Sequence, residues 1–199
     1  MAHRRKPGKR RLVPTAHQTT GPFFPAQFIR PADRDLAGGT GRRTPGEAHY
    51  VYGHVCDADA KPAVNVIIEI WQASPAGRFD DPDFVGWGRT WTDRDGFYSF
   101  TTVKPGPYPV RPGSNRWFAP RISVRLIGSG LMRPLLTCIY FPGETLNETD
   151  PQLAAIRSSV ARKRLIAAAA SHASAPSGAK AIRFDLCLGG RNASTFLEE

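Results

Sequence analysis

From residue 48 onward, apolar and polar residues alternate with a period of two over several short stretches. Residues 48–55 open the pattern. In 64–73, Val64, Val66, Ile68 and Ile70 share one face and Trp71 takes the other, which predicts a second strand. Between them, Asp57-Ala58-Asp59-Ala60-Lys61-Pro62 has turn chemistry. Thr90-Trp91-Thr92, a turn at Asp93-Arg94-Asp95-Gly96 and residues 97–101 read as a hairpin, with Tyr98 and Phe100 opposite Phe97, Ser99 and Thr101. Further strands are expected over 121–127, 135–141 and 181–188. In the last of these, Ile182, Phe184, Leu186 and Leu188 line one face.

Helical signals are few. Asp150 is a natural N-cap and Pro151 a natural first residue for a helix over 152–157. A second helical stretch is expected over 160–170, followed by a flexible loop at 172–179. Residues 74–88 form a loop with Ser-Pro and Asp-Pro pairs. Residues 18–47, rich in Gly, Pro and Thr, predict an irregular segment lying over a core. Residues 1–17 read as a disordered basic arm and 18–199 as one domain. The class implied is all-β: an antiparallel β-sandwich with an irregular N-terminal segment and a short helical insertion before the last strand.

At 199 residues, 41% of them hydrophobic, the chain can bury one sizeable core. No apolar run reaches the roughly 18–20 residues that span a bilayer, and no apolar stretch follows the charged N-terminus as in a secretory signal. The formal charge is +10, and six of those charges lie in residues 4–11. Such an arm can bind nucleic acid or an acidic membrane, solubilise the chain, or touch an acidic partner. It lacks interleaved aromatics, and no nucleic-acid motif follows, so neither nucleic acid nor membrane is expected as a partner. Cys56, Cys138 and Cys187 lie far apart in apolar segments. They read as buried, reduced thiols of a cytoplasmic protein, with a disulfide or a metal site as alternatives.

Candidate metal ligands do not converge. His49 and His54, five apart on one strand, point to opposite faces. His3 and His17 lie on the arm and His172 in a polar loop. Asp80, Asp81 and Asp83 match no calcium-loop spacing and read as a solvated acidic loop. No hydrolase triad string, phosphate loop or dinucleotide fingerprint is present.

Several strings stand in a fixed order along the chain. They are Val51-Tyr52-Gly53-His54-Val55, Glu69-Ile70-Trp71-Gln72-Ala73 with Gly77-Arg78-Phe79, and Gly86-Trp87-Gly88-Arg89-Thr90. Next come Lys104-Pro105-Gly106-Pro107-Tyr108-Pro109, Tyr140-Phe141, Asp150-Pro151 and Arg183-Phe184-Asp185. Together, over roughly 16–197, they resemble the intradiol ring-cleavage dioxygenases, the family of protocatechuate 3,4-dioxygenase. The segment Gln18-Thr19-Thr20-Gly21-Pro22-Phe23-Phe24 resembles the non-iron α type of that family, as does the short loop at 80–85.

In catalytic members Fe(III) is held by two Tyr, two His and a hydroxide. By this resemblance Tyr108 retains one ligand position, while Arg121 and Ser123 stand where the two His belong. Residues 79–85, the place of the second Tyr, contain no Tyr. A guanidinium is a permanent cation with donors only, and a serine hydroxyl is a poor ligand for a ferric ion. The resemblance therefore implies a chain that binds no metal and has Fe(III) in its partner, a homologous iron-binding beta-type subunit. The assembly would cleave a catecholic aromatic acid between its hydroxyls with O2. Thr19, Gly21 and Pro22 would line the partner's cleft as substrate-binding residues, unless they form only an ordinary turn. Tyr108 would either pack as a relic or hydrogen-bond locally. Ser129 stands where an Arg near the substrate carboxylate is expected, with Arg125 and Arg133 as candidates to replace it. Phe23-Phe24-Pro25 and Trp117-Phe118 are candidates for the partner surface. The remaining readings are a non-catalytic sandwich that binds aromatics or stabilises an assembly, and an independent dioxygenase with reassigned ligands.

Overall fold

The computed structural model describes residues 24–38 and 44–198. Its strands begin with β1 (Ala48–Cys56), β2 (Ile67–Trp71), β3 (Trp87–Trp91), β4 (Phe97–Val103), β5 (Tyr108–Pro109) and β6 (Trp117–Phe118). Strands β7 (Arg121–Ile127) and β8 (Leu135–Tyr140) precede two short helices, α1 (Pro151–Ala155) and α2 (Ser159–Lys163). The last strands are β9 (Ala168–Ala170), β10 (Lys180–Arg183) and β11 (Leu186–Cys187).

Strand β1 is buried on both faces. Val51 and Val55 enter the main core, while Tyr50 and Tyr52 stack on the other face beneath His172 and Phe97. One edge of β1 pairs antiparallel with β4; the other pairs parallel with β10 and then β11. The closing strand is thus two pieces. Phe184 N still donates to Tyr52 O, but at the next step the Asp185 side chain accepts from His54 N in place of a backbone carbonyl. Gly53 lies opposite this break. A Cβ there would sit 2.0 Å from the Phe184 carbonyl oxygen, so only glycine lets the two chains meet.

The second sheet runs β3-β2-β7-β8 and is wholly antiparallel. Its inner face supplies Ile68, Ile70, Ile122, Val124, Leu126 and Ile139 to the core shared with Val51, Val55, Tyr98 and Phe100 of the first sheet. The β-sandwich is the fold expected, with one qualification: the first sheet is mixed because β10 and β11 run parallel to β1.

Several local expectations change, and α1 itself ends at Ala155 rather than at 157. Val64 is exposed at 49%, because the strand begins only at Ile67. The hairpin expected across 93–96 is a crossing between sheets: β3 pairs with β2 and β4 with β1. Asp93 Oδ1 accepts from Asp95 N and Phe97 N, and Gly96 O accepts from Val55 N, which turns the chain onto the first sheet. The helix expected over 160–170 ends at Lys163, and Ala168–Ala170 is strand. There Tyr140 N donates to Leu165 O and Ala167 N to Tyr140 O, so tertiary pairing overrides alanine's helix preference. Strand β8 stops at Tyr140, one residue short of the expected end. Asp150 is the N-cap of α1, its carboxylate accepting from Gln152 N and Leu153 N, with Pro151 in the first turn, as the sequence indicates. Among the described residues no helix is long and apolar enough to cross a membrane.

Candidate functional site

Alternation along β7 separates two jobs. Ile122, Val124 and Leu126 face the core, and Arg121, Ser123 and Arg125 face outward. Glu69 and Trp71 of β2 and Cys138 and Tyr140 of β8 share that outer face. The two-strand ribbon of β5 and β6 lies beside it, with Tyr108 opposite Phe118. The ribbon is anchored through Pro105–Pro107: Gly106 N donates to Ser74 O, and a Cβ on Gly77 would lie 2.2 Å from Pro107 O. With φ at +75°, Gly77 also occupies the left-handed region that favours glycine.

Arg121 is the centre of the arrangement. Its Nε donates to the Tyr108 hydroxyl at 2.9 Å, and its Nη1 donates to the Tyr140 hydroxyl at 3.2 Å and to Gln152 Oε1. Its guanidinium carbon lies 3.9 Å from the centroid of the Phe118 ring. Tyr140 is fully buried, and its hydroxyl lies 3.1 Å from Asp150 Oδ1. The fully buried Asp150 also accepts from Ala119 N at 2.8 Å, tying the start of α1 to the end of the ribbon. Burial pushes the Tyr108 and Tyr140 phenols above their ordinary range, although Arg121 pulls each one down.

Arg121, Ser123, Arg125, Gln152 and Trp71 line a cavity of about 300 Å³. On its β2 side, Glu69 accepts from Arg89 Nε at 2.9 Å and from Arg125 Nη1 at 3.3 Å. Arg89 in turn stacks on Trp87, its guanidinium carbon 4.9 Å from the ring centroid. An aromatic rim runs along the ribbon side. Phe79 lies parallel to Trp71 at 6.4 Å and edge-on to Tyr108 at 4.9 Å. Trp71, Phe79 and Trp117 are each nearly half exposed.

A ferric ion does not fit these residues. The guanidinium of Arg121 occupies the approach to the Tyr108 oxygen, and its charge opposes a second cation there. Ser123 offers only a neutral hydroxyl. Among the described residues, no three His, Cys, Asp or Glu side chains gather into a metal cluster.

The other candidates scatter. His49 is buried, edge-on to Phe141, while His54 on the opposite face is exposed beside Asp185. Asp80 pairs with Arg78 at the surface, and Asp81 accepts from Asp83 N. Cys56 and Cys187 lie opposite each other on β1 and β11 with their sulfurs 2.7 Å apart as free thiols, and Cys138 is buried. Burial, with Cys187 alongside, pushes the Cys56 thiol up to about 12. Ser129 is exposed in the turn after β7, away from the residues around Arg121. Arg125, one of its suggested replacements, is at the cavity; Arg133 is not. Thr19, Gly21, Pro22 and Phe23 fall outside the described residues, as does the arm. Sequence reasoning missed Tyr140, Gln152, Cys138 and Glu69 as members of the site. The Tyr140-Phe141 and Glu69-Ile70-Trp71 strings were the available signal.

The fold is that of an intradiol dioxygenase. A family model described as Dioxygenase matches residues 19–190, and the chain belongs to the intradiol dioxygenase family. It is 35% identical over 185 residues to the protocatechuate 3,4-dioxygenase beta chain of Burkholderia cepacia, covering 87% of this chain and 78% of that one. It is 31% identical over 161 residues to the alpha chain of Pseudomonas putida, covering 77% of each. The dioxygenase domain of a dioxygenase–carbohydrate-binding fusion from Streptomyces sp. SirexAA-E superposes with a TM-score of 0.60 at 29% identity, over 89% of this chain and 99% of that one. These identities do not single out the alpha type that residues 18–24 resemble.

Proposed function

We propose that this chain is the non-iron, alpha-type subunit of a protocatechuate 3,4-dioxygenase-like enzyme. In this reading a homologous beta-type partner holds Fe(III), and the assembly cleaves a catecholic aromatic acid between its hydroxyls with O2. The observation that carries the reading is the bond from Arg121 Nε to the Tyr108 hydroxyl, which puts a protein cation on the oxygen that, by the family resemblance, would otherwise face a metal. A chain that keeps the whole sandwich but cannot hold the metal is best explained as support for one that can. The 35% identity to a beta chain is compatible with this, because the two chain types are homologous.

The partner surface proposed is the aromatic rim. Trp71, Phe79 and Trp117 form an exposed aromatic surface beside the ribbon, and Phe24 and Phe28 sit edge-on to each other at the other end of β3, near Arg89. In the same reading, residues 1–17 are a basic arm outside the domain at 18–199. Thr19 and Gly21 approach the partner's cleft, and Pro22 forms one wall of it.

Co-expression with an iron-binding homologue tests the reading. A stable heteromer with ring-cleavage activity and iron only in the partner is expected, whereas a monomer that ignores the partner overturns it. Within the heteromer, Gly21→Val should raise KM for the catechol or abolish turnover without removing iron. Thr19→Ala should cost about 0.5–1.5 kcal/mol of transition-state stabilisation, one neutral hydrogen bond. If both variants turn over like the parent, residues 19–22 are only a turn.

The cavity and its aromatic rim also favour a second reading, a non-catalytic sandwich that binds aromatics. In that case the chain alone would bind ligand and no partner would be captured.

A further inference from the structure

Arg121 is a partly buried cation whose hydrogen-bond partners are all neutral: two phenols and the amide oxygen of Gln152. Among the described residues no carboxylate lies within ion-pair distance of it, although ten ion pairs are present among those residues. The nearest acid in its network, Asp150, is reached only through the Tyr140 hydroxyl. Both Asp150 oxygens are already taken by Ala119 N, Gln152 N, Leu153 N and Tyr140. Nη2 of Arg121 makes no hydrogen bond to any described residue. A guanidinium taken out of water without a counter-ion is costly, and a bound anion removes that cost.

The space for the anion is present. The cavity of about 300 Å³ that Arg121 lines is at the lower end of the range for small-molecule sites. Trp71, Leu136 and Leu197 contribute apolar wall, and Arg125 adds a second cation. The carboxylates that line it do not supply the missing charge. Glu69 is held by Arg89 and Arg125, and Glu198 is exposed at the C-terminal end. Leu197 is fixed beside the cavity by its backbone bond to Leu136 O.

We propose that this cavity is an anion site of the chain's own, taking a small aromatic carboxylate with the carboxylate on Arg121 and the ring against Trp71 and Leu136. The site uses no metal and performs no chemistry. It is separate from the partner's cleft assigned above, and it deepens the second reading by naming the ligand class and the residue that would hold it.

Titration of the full chain, without any partner, tests the site by calorimetry and by the fluorescence of the half-exposed Trp71. The probes are benzoate, its neutral isostere benzamide, acetate and inorganic phosphate. Benzoate should bind with one site per chain. Benzamide and acetate should each bind about tenfold more weakly, the worth of one charge-assisted bond or of the ring's burial. Arg121→Gln should remove the preference for benzoate over benzamide, and Arg121→Lys should restore part of it. Ser123→Leu leaves the arginine in place and fills the cavity from β7, so it should weaken benzoate and benzamide alike. Melting curves on each variant confirm that it is folded. Equal binding of benzoate and benzamide overturns the proposal, as does absence of benzoate binding to the folded parent. Phosphate or acetate binding as tightly as benzoate would show a simple ion site and overturn the aromatic part. Because no partner is present, failure here leaves heteromer formation to stand or fall on its own.

Discussion

Asp150 shows how much one side chain can carry here. It caps α1, holds the Ala119 amide between β6 and β7 and faces the Tyr140 hydroxyl. Asp150→Ala should therefore cost about 3–5 kcal/mol in urea unfolding, a lost cap plus buried donors left unsatisfied. Asp150→Asn keeps one acceptor and should cost roughly half as much. His49 sets a pH dependence. Burial holds its imidazole below the ordinary value near 6.5, against the pull of Glu47, while Lys104 and Lys180 add to the lowering. The unfolded chain then binds the proton more readily, so stability is full above about pH 6.5 and falls as the pH drops toward the folded value. Melting temperatures between pH 5 and 7.5 should show this decline, and His49→Gln should flatten it. The double change Arg121→His with Ser123→His should still give no stoichiometric iron by elemental analysis, because residues 79–85 supply no second Tyr. Tyr108, Arg121 and Ser123 were singled out in the sequence by the family resemblance, and the structure brings Arg121 onto the Tyr108 hydroxyl. The sequence did not show that Arg121 bonds to Tyr108 and Tyr140, because that depends on β7 and β8 lying in register with the ribbon beside them.

Elements were legible where the signal is local. The two faces of β4, the existence of β7, the cap of α1 and the turn at 93–96 all follow from spacing and turn chemistry. Partner choice was not legible, since a period of two gives a strand its faces and says nothing of its neighbours. That is why a turn read as a hairpin proved to be a crossing between sheets, and an alanine-rich stretch read as helix became β9. The pairing of β11 with β1 has a chemical outcome of its own. It places Cys187 against Cys56, where burial and the neighbouring sulfur raise the Cys56 thiol to about 12. At pH 7.5 Cys56 should react with a thiol reagent far more slowly than a free cysteine does, and buried Cys138 should do the same. Counting modified sites by mass spectrometry before and after adding denaturant checks this. Rapid labelling of Cys56 in the native protein would contradict it.

At the scale of the molecule, two sheets close one main core, and β1 lies at the middle of the first, with β4 on one side and the last strands of the chain on the other. Deleting everything from residue 180 onward should leave that edge of β1 open and remove Ile182, Phe184 and Leu186 from the core. The shortened chain is expected to be insoluble or to lack a cooperative melt, as soluble yield and circular dichroism would reveal. The same arrangement governs how the chain can be made. Residues 56 and 187 are 131 apart, and at ribosomal speed that separation takes roughly 7–25 s to synthesise. Throughout that interval the first long strand has emerged while its final neighbours have not, leaving a bare backbone edge above a half-built core. Nascent chains need shelter during this delay, and any sister subunit that docks on the finished sheet must wait for its last strand.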